Sequence, residues 1–76
     1  MKLQVNGSNR TTVTLANGTE VFFSYSTPVA AHIPGRGYVQ TEKYWGRTTS
    51  KHIGQFGATG GAVEPQSFFD NLGATV

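Results

Sequence analysis

The sequence predicts a small α+β domain of four antiparallel strands in two hairpins, followed by two short helices packed on one face of the sheet. Two pairs of extended segments, each joined by a turn signal, fill the first 45 residues. The remaining residues carry a helix-start pattern and an apolar stripe of helical period. A chain of 76 residues has room for one domain only, residues 1–76.

The first hairpin follows a short candidate strand at Lys2–Val5. Thr11–Leu15 alternates apolar and polar residues, as strands with one buried face do. In Glu20–Ser26 the residue Phe22 breaks this alternation, which is typical of a strand covered on both sides. Asn17-Gly18 between them is the strongest short hairpin signal, since both residues tolerate the positive φ of a type I′ turn.

The second hairpin is bounded by prolines. Pro28–Ile33 is extended and, because proline donates no ladder hydrogen bond, we expect it at an edge of the sheet or with its prolines at strand ends. Pro34–Gly37 predicts a turn in which Gly35 supplies the positive φ of a type II geometry. Tyr38–Trp45 returns as a half-polar strand with three aromatic residues.

Two short helices complete the chain. Thr48 or Thr49 is the predicted N-cap of the first, which Gly54 and Gly57 limit to about two turns before a glycine-rich loop. The second starts at Glu64-Pro65 and runs through Leu72, with an apolar stripe formed by Phe68, Phe69 and Leu72. We expect Gly73 to cap it and residues 74–76 to form a tail.

The composition excludes several kinds of site. The chain has no cysteine and only two histidines, which argues against a disulfide or zinc site, and we expect no cofactor. So small a core favours a homo-oligomer, although a domain that folds alone is the alternative. The sequence shows neither an apolar run of membrane-spanning length nor a signal-peptide pattern, so we expect a cytoplasmic protein without membrane contact.

Positive charge is concentrated in one segment. Between His32 and His52 there are four Lys or Arg residues and one glutamate. Their alternation with aromatic residues is typical of surfaces that stack bases and contact phosphates. The candidate ligand-binding residues are Arg36, Tyr38, Lys43, Tyr44, Trp45, Arg47, Thr48, Thr49, Ser50, Lys51 and His52.

Three features within this segment could bind an anion. Arg36 lies on a glycine-flanked turn, the hydroxyls at 48–50 lie at a helix start, and Trp45 lies among cations. Each has a purely structural alternative: a solvated turn residue, a threonine cap, and an aromatic residue of the core or of an oligomer interface. No nucleophile–base pair is recognisable, so we expect no enzymatic activity.

The segments Thr27–Ala30, Pro34–Tyr38 and Thr48–Ile53, with Thr41 and Tyr44, resemble a signature of small uncharacterised proteins encoded by tailed phages. The pattern departs after Ile53, where GQF replaces a more regular helix. The resemblance implies a phage or prophage accessory protein in the bacterial host cytoplasm and no catalytic residues.

The leading functional hypothesis is non-enzymatic binding of a phosphate-bearing ligand. Either a nucleotide, including a host-defence signalling nucleotide, or single-stranded nucleic acid fits the basic aromatic segment. The alternative is a protein-interaction module that inhibits a host protein or complex, for which the same aromatic and arginine residues would be hot spots.

Overall fold

The computed structural model describes residues 2–7 and 9–74, which form a sheet and two helices. The elements are β1 Lys2–Gly7, β2 Arg10–Thr14, β3 Glu20–Ser24, β4 Thr27–Ile33, β5 Gly37–Thr41, α1 Arg47–Phe56, β6 Ala62–Glu64 and α2 Gln66–Ala74. The α+β class is confirmed.

The sheet contains six strands among the described residues, so the prediction of about four was wrong. Their spatial order is the chain order, β1 to β6. The first five strands pair antiparallel, and α1 then crosses over so that β6 pairs parallel with β5. β6 was not predicted because three residues are too few to show a hydrophobic period. The candidate strand at the N-terminus belongs to the sheet as β1, which pairs with β2.

In both hairpin turns a glycine adopts a positive φ. The first hairpin is confirmed, but only Gly18 takes a positive φ (90°), and its N–H donates to the Leu15 carbonyl. The loop is therefore not the predicted type I′ turn; the Asn17 side chain instead accepts the Thr19 N–H at 2.9 Å. The turn after β4 is as predicted, with Gly35 at φ 82° and the Arg36 N–H bonded to the Ile33 carbonyl.

Three strand predictions need correction. The strand predicted to run to Ser26 ends at Ser24, because Tyr25 adopts a φ of 58° and its N–H bonds to the Asn9 carbonyl. β4 is an interior strand, which corrects the edge alternative, whereas the alternative with prolines at the strand ends is confirmed: Pro28 is its second residue, beside an irregularity between Phe22 and Phe23 of β3, and Pro34 follows its last residue.

β5 ends at Thr41 rather than at Trp45. The Glu42 N–H bonds to the carbonyl of Glu64, the last residue of β6, and the chain then leaves the sheet for α1. Lys43, Tyr44 and Trp45 therefore lie on a connecting segment.

The helices cover opposite faces of the sheet, which corrects the prediction that both pack on one face. Ile53 of α1 packs with Phe22 and Ala30, whereas Phe69 of α2 packs with Ala31 and Val39. Ala30 and Ala31 are consecutive in β4, so their side chains point to opposite faces. The parallel crossover places α1 on one face, and α2 then returns beneath the other.

The helix ends also differ from the prediction. α1 begins after Gly46 with no side-chain cap, so neither Thr48 nor Thr49 is the N-cap, and it has ten residues. It ends at Gly57, where the N–H groups of Gly57 and Ala58 bond to the carbonyls of Gly54 and Ile53 in the Schellman arrangement.

α2 begins at Gln66, later than predicted, because Glu64 belongs to β6. Its apolar stripe of Phe68, Phe69 and Leu72 is confirmed as the contact with the sheet. Gly73 lies within the helix rather than capping it, and the predicted tail extends to residues 75–76, which lie outside the described residues. Neither described helix has the length and apolar character needed to span a membrane.

Candidate functional site

The predicted binding residues are divided among three places. Arg36 is the first, and it belongs to the α2 side of the molecule. Its guanidinium forms an ion pair with Glu64 and lies 5.6 Å from the centroid of the Phe68 ring. The arginine on the turn is therefore engaged with its own chain.

The second place is the segment between β5 and α1. The Lys43 ammonium lies 4.1 Å from the centroid of the Trp45 ring. The Trp45 indole N–H donates to Gln66 Oε1 at 3.0 Å, which ties this segment to the start of α2. Tyr44 is strongly exposed and, with Ser50, borders a shallow hollow that shares no lining residue with the hollow lined by Lys51. The Lys43 side chain therefore covers one face of the Trp45 ring.

The third place combines four residues of α1 with one residue of β2. Thr48, Lys51 and Gln55 follow one another at helical spacing and line one side of a hollow of about 340 Å³. We call this the cationic hollow; it is lined by Arg10, Thr48, Lys51, His52 and Gln55. Arg47 lies exposed at the start of the same helix and is not part of the lining.

Arg10 was missed by the sequence analysis. Its Nη1 donates to Gln55 Oε1 at 2.7 Å, and it pairs in register with Ser24 of β3. Gly7 leaves room for it, since a Cβ at that position would collide with Arg10 Nη2. Arg10 lies outside the segment in which positive charge is concentrated, so that concentration did not point to it. The strand alternation that places it on the face covered by α1 was the available signal.

Beneath the hollow lies a buried polar network. Ser24 Oγ lies 2.8 Å from His52 Nδ1 and 3.1 Å from Thr49 Oγ1, and all three side chains are buried. Thr49 and His52, both predicted as ligand-binding residues, therefore fix α1 to the sheet, and only His52 also reaches the hollow. Burial lowers the pKa of His52 below 6.5, and the charges of Arg10 and Lys51 lower it further.

A second groove continues from the hollow along the same face of the sheet. We call this cavity of about 370 Å³ the aromatic groove; it is lined by Gln4, Arg10, Thr12, Glu20, Phe22, Tyr38, Gln55 and Phe56. The rings of Phe22 and Phe56 stack with centroids 4.7 Å apart, and Tyr38 meets Phe56 edge-on at 5.5 Å. Arg10 and Gln55 line both cavities, so the two adjoin at this hydrogen-bonded pair.

The two cavities together carry opposite charges at their two ends. Arg10 and Lys51 lie at one end, whereas Glu20 lies at the other, with its Oε1 4.0 Å from Nδ1 of His32. Across the described residues, no three His, Asp or Glu side chains are grouped so that they could hold a metal ion. The arrangement suits a polar ligand that is anionic at one end.

Of the eleven predicted residues, this site brings together Tyr38, Thr48, Lys51 and His52. Lys43, Tyr44 and Trp45 lie outside it because the strand that was predicted to carry them ends at Thr41. Arg36 and the residues at 48–52 do not share a face, since Arg36 contacts α2.

Comparison with known proteins gives a family but no activity. The sequence model of a family of unknown function, DUF8033, matches residues 1–71, so the chain belongs to this family. No curated protein and no solved structure matches the chain.

Proposed function

We propose that this member of the DUF8033 family is a non-enzymatic binding protein for a phosphate-bearing ligand, whose phosphate occupies the cationic hollow. The observation that carries the proposal is the convergence of Arg10 and Lys51. They come from β2 and α1, yet both line the same hollow beside the buried His52, and both charges lower the pKa of that histidine. Two cations thus create a positive potential at one point.

The donors around this point suit a phosphate. The described ion pairs are those of Glu20 with His32 and Arg36 with Glu64, so neither Arg10 nor Lys51 is neutralised by a described carboxylate. Arg10 uses Nη1 for Gln55 and has its Nη2 beside Gly7, and its guanidinium lines the hollow in which the phosphate would lie. Lys51 adds three donors and Thr48 a hydroxyl, at the positive end of the α1 dipole.

A nucleotide is favoured over single-stranded nucleic acid. The cationic hollow and the aromatic groove are contiguous but small, and the exposed aromatic residues Tyr44 and Trp45 lie elsewhere. Binding of a strand depends on several bases stacked in succession, whereas these cavities have space for one. In the phage setting that the sequence resemblance implies, the ligand would be a nucleotide sequestered from a host-defence pathway.

Calorimetric titration of the full chain with AMP and with inorganic phosphate tests the proposal. Loss of a hydrogen bond to a charged group costs about 1.5–3 kcal/mol, so Arg10→Ala and Lys51→Ala should each weaken AMP binding about tenfold or more. Arg47→Ala is the matched control, because it removes the same charge from the exposed start of α1. Absence of binding by both probes, or equal weakening in the control, would refute the proposal.

A protein-interaction module that inhibits a host protein is the second candidate. It is favoured by apolar side chains that are exposed on the sheet, with Leu3 and Val5 each more than 60% accessible. This candidate predicts that the protein ignores AMP and phosphate and instead retains one host protein, whose capture Leu3→Gln abolishes.

A further inference from the structure

The strand pairing determines how far apart the cationic and anionic ends of the aromatic groove lie. Arg10 pairs with Ser24, and Thr14 pairs with Glu20, so Arg10 and Glu20 lie at opposite ends of the β2–β3 pairing. Ser24 and Glu20 are four residues apart in β3, which corresponds to about 13 Å of strand. Both residues point to the α1 face because even-numbered positions of β3 share that face.

Glu20 can accept hydrogen bonds from a ligand. Its carboxylate is partly exposed and lines the groove. The His32 Nδ1, at 4.0 Å from Oε1, is too far away for a hydrogen bond. An ionised carboxylate has about four acceptor positions and no donor, so it selects N–H groups and repels carbonyl oxygens.

The wall between the two ends is aromatic. Phe22 and Phe56 form the stacked pair, and Tyr38 completes the wall, held edge-on between Phe56 and His32. Gln4 and Gln55 add amide groups, which can donate or accept. A flat heterocycle joined to a phosphate matches this order of cation, aromatic wall and carboxylate.

We infer that the ligand is a mononucleotide whose base carries an exocyclic amino group, with the phosphate at Arg10 and Lys51 and the amino group donating to Glu20. This inference rests on the proposed function, because it adds the identity of the base end to a site already taken to bind phosphate. Glu20 is then the residue that determines specificity, while the cationic hollow supplies affinity common to all nucleotides.

The test compares AMP with purine riboside 5′-monophosphate, which lacks only the 6-amino group, by calorimetry on the full chain. AMP should bind about tenfold or more tightly, as expected for one hydrogen bond to a charged acceptor. Glu20→Ala should bring the two affinities together because it removes the acceptor, whereas Glu42→Ala, which alters an exposed carboxylate outside the groove, should leave their ratio unchanged.

Titration with inorganic phosphate distinguishes a failure of the inference about the base from a failure of the proposed function. Equal affinities for AMP and its deamino analogue in the unmodified protein would overturn the inference and leave the proposed function intact. If inorganic phosphate binds but neither nucleotide does, the inference is likewise overturned and the proposed function is left intact. If phosphate and both nucleotides fail to bind, the proposed function falls and the inference falls with it.

Discussion

His52 is a buried histidine that joins a helix to the sheet beneath a cluster of positive charge. Its Nδ1 bonds to Ser24, and burial together with Arg10 and Lys51 lowers its pKa in the folded protein. In the unfolded chain the group returns to about 6.5. The unfolded state therefore binds more protons at mildly acidic pH, which favours unfolding there.

We accordingly predict that stability is complete above the unfolded pKa of 6.5 and is lost as the pH falls below it towards the folded pKa. Urea denaturation between pH 7.5 and 5 measures this, and the slope from one such group is at most about 1.4 kcal/mol per pH unit. His52→Gln should flatten the dependence in that interval, while His32→Gln, on a partly exposed strand position, should retain it. An unchanged slope in His52→Gln would assign the acid sensitivity to other groups.

For individual residues, the sequence predicts the chemical type of the site residues better than it predicts where they lie in the fold. Lys51, Thr48 and Tyr38 were named as site residues and do line the two cavities. Arg10 and Glu20 were not, because they enter the site through strand pairing rather than through closeness in sequence. The burial of Thr49 was equally hidden, since it depends on where Ser24 lies across the sheet.

Among the elements, β6 depends on a glycine. A Cβ on Gly61 would lie 2.5 Å from the backbone oxygen of Tyr38 and 3.1 Å from that of Ala58. Both neighbours are main-chain atoms, so Gly61→Ala can be accommodated only if β6 moves away from β5. That displacement also loosens Tyr38, which belongs to the wall of the aromatic groove.

We predict that Gly61→Ala lowers the free energy of unfolding by about 1–3 kcal/mol, as overpacking usually does. The urea midpoint measures the change. Gly54→Ala is the matched control: its Cβ would approach only the Thr59 hydroxyl, at 3.3 Å, and alanine is the better helix former within α1. Equal stability of the two variants would show that β6 does not need the close approach.

The elements that were predicted well are those with local causes. The Pro34-Gly35 turn and the α2 stripe depend on residues within a few positions of each other. The end of β5 was mispredicted because it is determined by the pairing of Glu42 with Glu64, twenty-two residues later. The interior position of β4 similarly reflects the whole strand order.

For the whole molecule, the two helices leave part of the sheet uncovered. α2 packs against β4 and reaches Phe23 and Pro28 through Gly73, but Leu3 and Val5 of the edge strand β1 remain exposed. An adjoining hollow is lined by Leu3, Thr11, Val13, Phe23, Tyr25 and Ser26, none of which carries a charge. Two copies can meet at this surface without burying a charge, and β1 offers a free edge for pairing.

We therefore predict that the protein forms a homo-oligomer through β1, as the small size of its core also favours. Light scattering coupled to size-exclusion chromatography gives the mass in solution. The double variant Leu3→Gln, Val5→Thr should be monomeric, because it replaces the apolar side chains of the free edge by polar ones. Val63→Thr, an equally conservative change at the exposed opposite edge, should keep the oligomer. A monomeric mass for the unmodified protein would contradict the prediction, and the cavities on the α1 face would then have to bind their ligand without a second subunit.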